Sequence, residues 1–276
     1  MITTEGKQHV RRYLANYVPN IAEAIAFGIG SASETSTDKS LQFEVGRVDV
    51  SLYDYDFVND AIIFKGSVPD EFVGKVYEVA IYSQFDDATA GNYGSRIITT
   101  FDSATEDWSN PAYTNVNTRI GIDSLNHTPA LSTTTTSVLA NQAFDFSGYS
   151  GSDEFLFAFN CANTNTASIV FRFKTDASNH YAYTVTNPSS GYSIVAATKG
   201  SLTVTGTPNW ATITSVEVAT TSKAAGASNV ELDGIRIEDR DAVNLDYTLV
   251  ARNVVSPVTK LDGQSQDIEY ALDVTL

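Results

Sequence analysis

The sequence predicts a mainly β protein: a small α+β unit, an N-terminal helix plus an antiparallel sheet, interrupted by a β-sandwich of jelly-roll type. Three observations predict it. The chain opens on a 3.6-periodic apolar stripe and then changes to alternating segments. From about residue 99 to 241 helical periodicity disappears, and short strand-like runs recur between turn-rich segments. After residue 242 the alternating pattern of the first hundred residues returns.

In the opening segment, Val10, Tyr13, Leu14, Tyr17, Val18, Ile21 and Ile25 recur at spacings of three and four and predict a helix over 5–27. Pro19 breaks it, because proline lacks the amide hydrogen and crowds the preceding turn. Gly28 and Gly30 end it, since glycine readily adopts the left-handed conformation of a helix C-cap. Residues 31–40 are a Ser/Thr-rich connector. "LQFEV", "AIIFKGSV" and "KVYEVAIYS" then read as strands, with the turn residues of "SVPDEFVGK" between the last two.

Within 99–241 the runs "EFLFAFN", "SIVFRFK", "HYAYTVT", "YSIVAA", "SLTVT", "ITSVEVAT" and "LDGIRIED" have the length and spacing of sandwich strands. Alternation puts Phe155, Phe157 and Phe159 on one face of their strand, and Phe171 and Phe173 on one face of theirs. The closing segment alternates Ile268, Tyr270, Leu272, Val274 and Leu276. Such a strand needs a partner, because an unpaired edge is an aggregation template. Pairing it with the sheet of residues 41–83 makes 1–98 plus 242–276 a split base unit, and 99–241 an insertion.

Composition narrows the function. Lys and Arg number 17 against 33 Asp and Glu, a formal charge of -16. That balance opposes binding to a nucleic-acid backbone, which needs a basic face. No apolar run approaches the roughly 20 residues of a membrane span, and "MITTEGKQHVRR" lacks the apolar core of a secretion signal. Cys161 is alone, which leaves no intrachain disulfide, and its apolar setting reads as structural.

Catalytic constellations are missing. "GYSGS" has Ser152 where a G-x-S-x-G elbow needs glycine; His9, His127 and His180 are not in ligand spacing; and "FGIGSAS" lacks the rest of a phosphate or dinucleotide loop. The carboxylate pairs Asp70–Glu71, Asp86–Asp87 and Asp153–Glu154 are sequence neighbours, which point apart on a strand and read as solvated charges. A non-enzymatic protein without a required cofactor is expected. Sugar binding needs exposed aromatic faces; of the aromatics at 108, 113, 149, 181, 183, 192 and 210, Tyr192, Tyr149 and Trp108 are the candidates for a glycan site.

Two resemblances add to this reading. The G-x-x-x-x-x-x-Y-L pattern from Gly6 to Leu14, then "IAFGIGSASETSTDKSLQFEVGR", "FKGSVP" and "YEVAIYS", resembles the docking base of tailed-bacteriophage tail, fibre or decoration proteins. The closing "ARNVVSPVTKLDGQSQDIEYALDVTL" is similar to the last strands of that base. This resemblance implies a virion structural protein made in a host bacterial cytoplasm, with other virion proteins and copies of itself as partners. Tyr13, Tyr17, Ile21, Ile268, Tyr270 and Leu272 would serve assembly. The middle block, through "FDSATEDWS" and "WATITSVEVAT…NVELDGIRIE", resembles galactose-binding-like and carbohydrate-binding-module jelly rolls. That likeness implies surface glycan as a ligand and a structural calcium at Asp233, with Asp102 or Glu106 as companions.

Overall fold

Helix α1 covers Thr4–Leu14 and ends far short of residue 27. Thr3 caps it, its hydroxyl accepting from the Gly6 amide at 2.8 Å, and Glu5 and Arg11/Arg12 complement the helix dipole at its two ends. Asn16, in the left-handed region at φ 60°, turns the chain before Pro19 is reached. Gly6 is needed where α1 crosses a later strand, since a Cβ there would lie 2.0 Å from the Val250 carbonyl oxygen. The expected second helical piece is instead strand β1 (Ala24–Gly28), buried along most of its length. A short apolar run suits a central strand as well as a helix, and the pairing available on both sides decides for the strand.

This computed structural model describes residues 1–84, 96–240 and 247–273. The chain divides into two units, Met1–Asn92 with Arg240–Leu276, and Tyr93–Asp239. The first begins with α1 and β1 and continues through β2 (Glu44–Asp49), β3 (Leu52–Asp56), β4 (Ala61–Val68) and β5 (Gly74–Gln84).

The second unit runs through β6 (Arg96–Thr99), β7 (Tyr113–Thr114), β8 (Ser124–His127), β9 (Thr134–Leu139), β10 (Glu154–Cys161) and β11 (Thr166–Lys174). It continues with β12 (His180–Thr186), β13 (Gly191–Thr198), β14 (Thr203–Thr205), β15 (Ser215–Ser222) and β16 (Val230–Glu238). One antiparallel sheet has the order β13-β10-β16-β8-β7, with β6 also pairing β16; the other has the order β14-β12-β11-β15-β9. The phenylalanines of β10 meet those of β11 between the sheets, with ring centroids 4.4 Å apart for Phe157–Phe171 and 4.5 Å for Phe155–Phe173. His127 lies in this core between the hydroxyls of Thr220 (3.0 Å) and Ser137 (2.9 Å), and burial lowers its pKa to about 4. Cys161 is also buried there.

The chain returns to the first unit as β17 (Tyr247–Lys260) and β18 (Gln266–Asp273). Its two sheets have the orders β17-β5-β1-β2 and β18-β4-β3. Strand β18 pairs with β4 from Gln266↔Val68 to Asp273↔Ala61. Ile268, Tyr270 and Leu272 point into the unit's own core, so their side chains are not offered to a neighbour; Val274 and Leu276 lie outside the described residues. Ile21 packs half-buried against that same core, while Tyr13 and Tyr17 are exposed.

A buried carboxylate organises the polar connector after β1. Glu78 accepts from the amides of Gly30 (3.0 Å), Gln42 (3.0 Å) and Phe43 (2.9 Å), and from Arg252 Nε (2.9 Å). Arg252 extends the latch to Asp38 (2.7 Å) and to the Ala32 carbonyl (3.0 Å). The switch between β1 and β2 is thus tied at both ends to β5 and β17. Among the described residues no helix is long and apolar enough to cross a membrane.

Candidate functional site

The second unit gathers its polar residues on the outer face of the β13-β10-β16-β8-β7 sheet. The β10–β16 register shifts between Ala158 and Phe159, opposite Gly234 and Leu232, which makes Asp233 the extra residue of a bulge. Bulges re-aim a side chain out of the regular alternation. Here the carboxylate, on a residue 1% exposed, accepts from the amides of Arg119 (3.0 Å) and Ile120 (3.3 Å), the Ser124 hydroxyl (3.4 Å) and the Tyr192 hydroxyl. Glu231 does the same one step along, accepting from the Asn117 amide (3.1 Å) and side-chain nitrogen (2.9 Å). Two carboxylates of β16 therefore hold residues 117–120 against the sheet.

The consequence is a planar, half-buried pair at the surface. Tyr192, from β13, has its hydroxyl tied to Asp233, and the Arg119 guanidinium lies over its ring, 3.6 Å from the centroid. Stacking of this kind favours Arg over Lys, because the guanidinium is flat and weakly hydrated. The pair combines an aromatic body with fixed donors, the combination that a sugar ring requires.

Asp233 carries its own pH signature. Burial raises its pKa from 3.8 to about 6, despite the donors around it. The folded chain then holds the proton more tightly than the unfolded chain does. The associated stability is complete below about 3.8 and is lost as pH rises through about 6. His127 gives the opposite slope, losing stability as pH falls from 6.5 towards about 4, so comparison with a variant is needed to isolate Asp233. Between pH 4.5 and 7.5, thermal melts of wild type and Asp233→Asn should shift against each other by on the order of 2–3 kcal/mol, to the detriment of wild type. A constant difference between them would contradict the buried, proton-retaining carboxyl.

The other sequence candidates lie elsewhere. Trp108 is 1% exposed, stacked on Phe101 at 4.7 Å with its indole N–H donated to Glu106 at 2.7 Å. Tyr149 is likewise buried in the sandwich core. Neither offers a face to a glycan. Trp210 and Tyr181 stack on each other at 3.7 Å, and Trp210 also packs on Phe155.

The calcium set does not fit the ion. Glu106 is taken up by the amides of Thr100 (2.7 Å) and Phe101 (3.2 Å) as well as Trp108, and Asp102 by the amides of Ala104 and Ile122, both at 2.8 Å. Asp233 is satisfied as described, and among the described residues no group of three or more His, Cys, Asp or Glu could hold a metal. Donors occupy the oxygens that calcium would need.

Sequence reasoning missed Arg119, Asn117 and Glu231. One signal for Arg119 was available: it is a cation within the Asn/Thr-rich "TNVNTRIGIDS" of a strongly acidic chain.

No protein-family model matches the chain, and no curated protein matches it. Solved structures similar to it are carbohydrate-binding modules of β-sandwich architecture and parts of glycoside hydrolases. The family 11 carbohydrate-binding module from Clostridium thermocellum, in complex with a β-1,3-1,4-mixed-linked tetrasaccharide, is 14% identical; the match covers 60% of this chain and 96% of that one, with a TM-score of 0.36. A carbohydrate-binding module described as promiscuous in specificity is 12% identical over 78% of this chain and 83% of its own, with a TM-score of 0.32. PfGH50B is 12% identical over 49% of this chain, with a TM-score of 0.37; the match spans about a fifth (22%) of PfGH50B. Likenesses this distant carry no functional weight of their own.

Proposed function

We propose that the β-sandwich unit binds carbohydrate, through the face built by Arg119 and Tyr192, and acts by binding without turnover. The observation that carries this reading is the guanidinium–tyrosine stack at 3.6 Å, anchored from below by a buried carboxylate. A sugar ring offers an apolar C–H face to an aromatic body and vicinal hydroxyls to a forked donor. The anchor matters because a preorganised pair loses less entropy on binding than two mobile side chains would. The virion placement expected from the opening and closing segments has no comparable observation behind it, and the carbohydrate reading takes precedence.

The test is calorimetric titration of the full chain with soluble β-glucans, mixed-linked 1,3-1,4 oligosaccharides among them, preceded by a glycan array. Tyr192→Ala and Arg119→Ala should each weaken binding at least tenfold, about 1.4 kcal/mol. Tyr192→Phe, which keeps the ring and loses the Asp233 hydrogen bond, should fall between them and wild type. Trp108→Phe should leave affinity unchanged. Glycan binding unaffected by both alanine variants, or no binding anywhere on the array, would overturn the reading.

A further inference from the structure

The first unit exposes an apolar surface that its own fold leaves uncovered. Strand β3 pairs with β4 alone among the described strands, which leaves its other edge open. Tyr53, Tyr55 and Phe57 follow one another at every second position, and Tyr55 and Phe57 touch edge to face at 4.9 Å. At the turn into β4, Phe57 is 89% exposed and Val58 90%. Beyond the end of α1, Tyr17 is 82% exposed. An aromatic side chain carries about 150–250 Å², so Tyr53, Tyr55, Phe57 and Val58 of the hairpin, with Tyr13 lining the same groove as Tyr53, approach the size of patch that marks an interaction site.

Beside the strand lies a groove of about 330 Å³ lined by Tyr13, Asn20, Ile21, Tyr53, Ile62 and Phe64. An apolar tip and an apolar groove thus belong to one hairpin. The tip cannot fill its own groove, because roughly 10 Å of extended backbone separates Tyr53 from Asp56, and the turn that carries Phe57 begins only beyond it. Charge is divided in the same way. Arg11 and Arg12, exposed in the last turn of α1 next to Tyr13 of the groove, make no ion pair among the described residues, and the tip is bordered by Asp54, Asp56 and Asp60.

We propose that this hairpin is a self-association surface: the Phe57–Val58 tip of one copy seats in the groove between α1 and β3 of a second, and the exchange is reciprocal. An antiparallel, two-fold arrangement of the β3 edges places each tip over the other copy's groove, the self-complementary geometry of an isologous contact. The same arrangement brings the acidic border of one tip towards Arg11 and Arg12 of the other copy. That local attraction counters the repulsion between two chains of charge -16. The proposal is independent of the carbohydrate reading, which concerns the other unit.

The experiment is light scattering and sedimentation velocity on the full chain from micromolar to submillimolar concentration. Wild type should reach the mass of two copies. Phe57→Asp with Val58→Lys, both at fully exposed turn positions, should remain at the mass of one copy with an unchanged thermal melt. Arg11→Glu with Arg12→Glu should weaken association about tenfold. Leu261→Asp, at a different exposed apolar position, should associate as wild type does. A wild type that stays at single-copy mass throughout would overturn the proposal and assign the patch to a different protein. So would a folded Phe57→Asp/Val58→Lys variant that still pairs.

Discussion

Replacing Glu78 with alanine should cost the first unit about 3–5 kcal/mol, enough to unfold much of a marginal domain. The carboxylate is fully buried, and its removal strands the amides of Gly30, Gln42 and Phe43 and leaves the buried Arg252 guanidinium with Asp38 and the Ala32 carbonyl in place of two carboxylates. Each buried donor left without an acceptor costs on the order of 1–3 kcal/mol, and a buried cation costs more. Glu78→Gln should be milder, since its amide oxygen still accepts, but the amide nitrogen then faces a guanidinium. Denaturant unfolding would measure the cost. Limited proteolysis would show whether the connector of residues 31–40 is released first, as expected when the latch that holds it is removed. A Glu78→Ala protein within about 1 kcal/mol of wild type would mean that water or a neighbouring group replaces the carboxylate.

In the second unit, the largest single-residue effect should come from Phe157→Ala, again about 3–5 kcal/mol. Phe157 is fully buried at the middle of β10, against Phe171 at 4.4 Å and Tyr183 at 5.2 Å. Truncation removes transfer free energy and leaves a cavity that rigid, hydrogen-bonded strands on both sides cannot collapse to fill. The sandwich's unfolding midpoint reports it, and intrinsic fluorescence of Trp108 and Trp210 follows that unit alone, because both tryptophans lie in it. A surface reference such as Thr184→Ala, on the outer face of β12, should stay within about 0.5 kcal/mol. A Phe157→Ala cost below about 1 kcal/mol would show that the sheets move together to close the gap.

These expectations draw on information of different kinds. The alternation in "FLFAF" and "VFRFK" placed the phenylalanines of β10 and β11 on their inner faces, because period-two patterning is a property of the strand itself. The same logic held for Ile268, Tyr270 and Leu272, where the pattern correctly indicated a buried face. The expected pairing with the sheet of residues 41–83 is made with β4, and what the alternation could not show is that the unit's own core covers those side chains and removes them from any assembly surface. The helix over 5–27 failed for a related reason. Val10 and Tyr13 belong to α1, but the later apolar residues of the stripe lead into a strand flanked by β2 and β5, and no local signal separates a buried strand from a helical face.

The candidate site was legible in part. Tyr192 could be named because "SSGYS" sets an aromatic among turn residues. Trp108 and Tyr149 looked equivalent to it, yet exposure depends on what else folds over a ring. For Trp108 that is Phe101, which sits close by in the chain at positive φ, a conformation that its residue type does not announce. Asp233 was singled out for calcium, and its surroundings supply donors instead of the open oxygens an ion needs. Its orientation comes from a bulge, which exists only once β10 and β16 have taken their register.

By itself, then, the sequence determined the mainly β class, the change in patterning at the middle block, the inner faces of its strands and the acidic surface, all consequences of local periodicity and composition. Tertiary structure alone decided which aromatics remain at the surface, that Arg119 lies on Tyr192, that Glu78 and Arg252 meet, and that β3 is left with an open edge. Each of these depends on residues distant in the chain being brought within a few ångströms. Such contacts are fixed by strand pairing and close packing, which no short window of sequence contains.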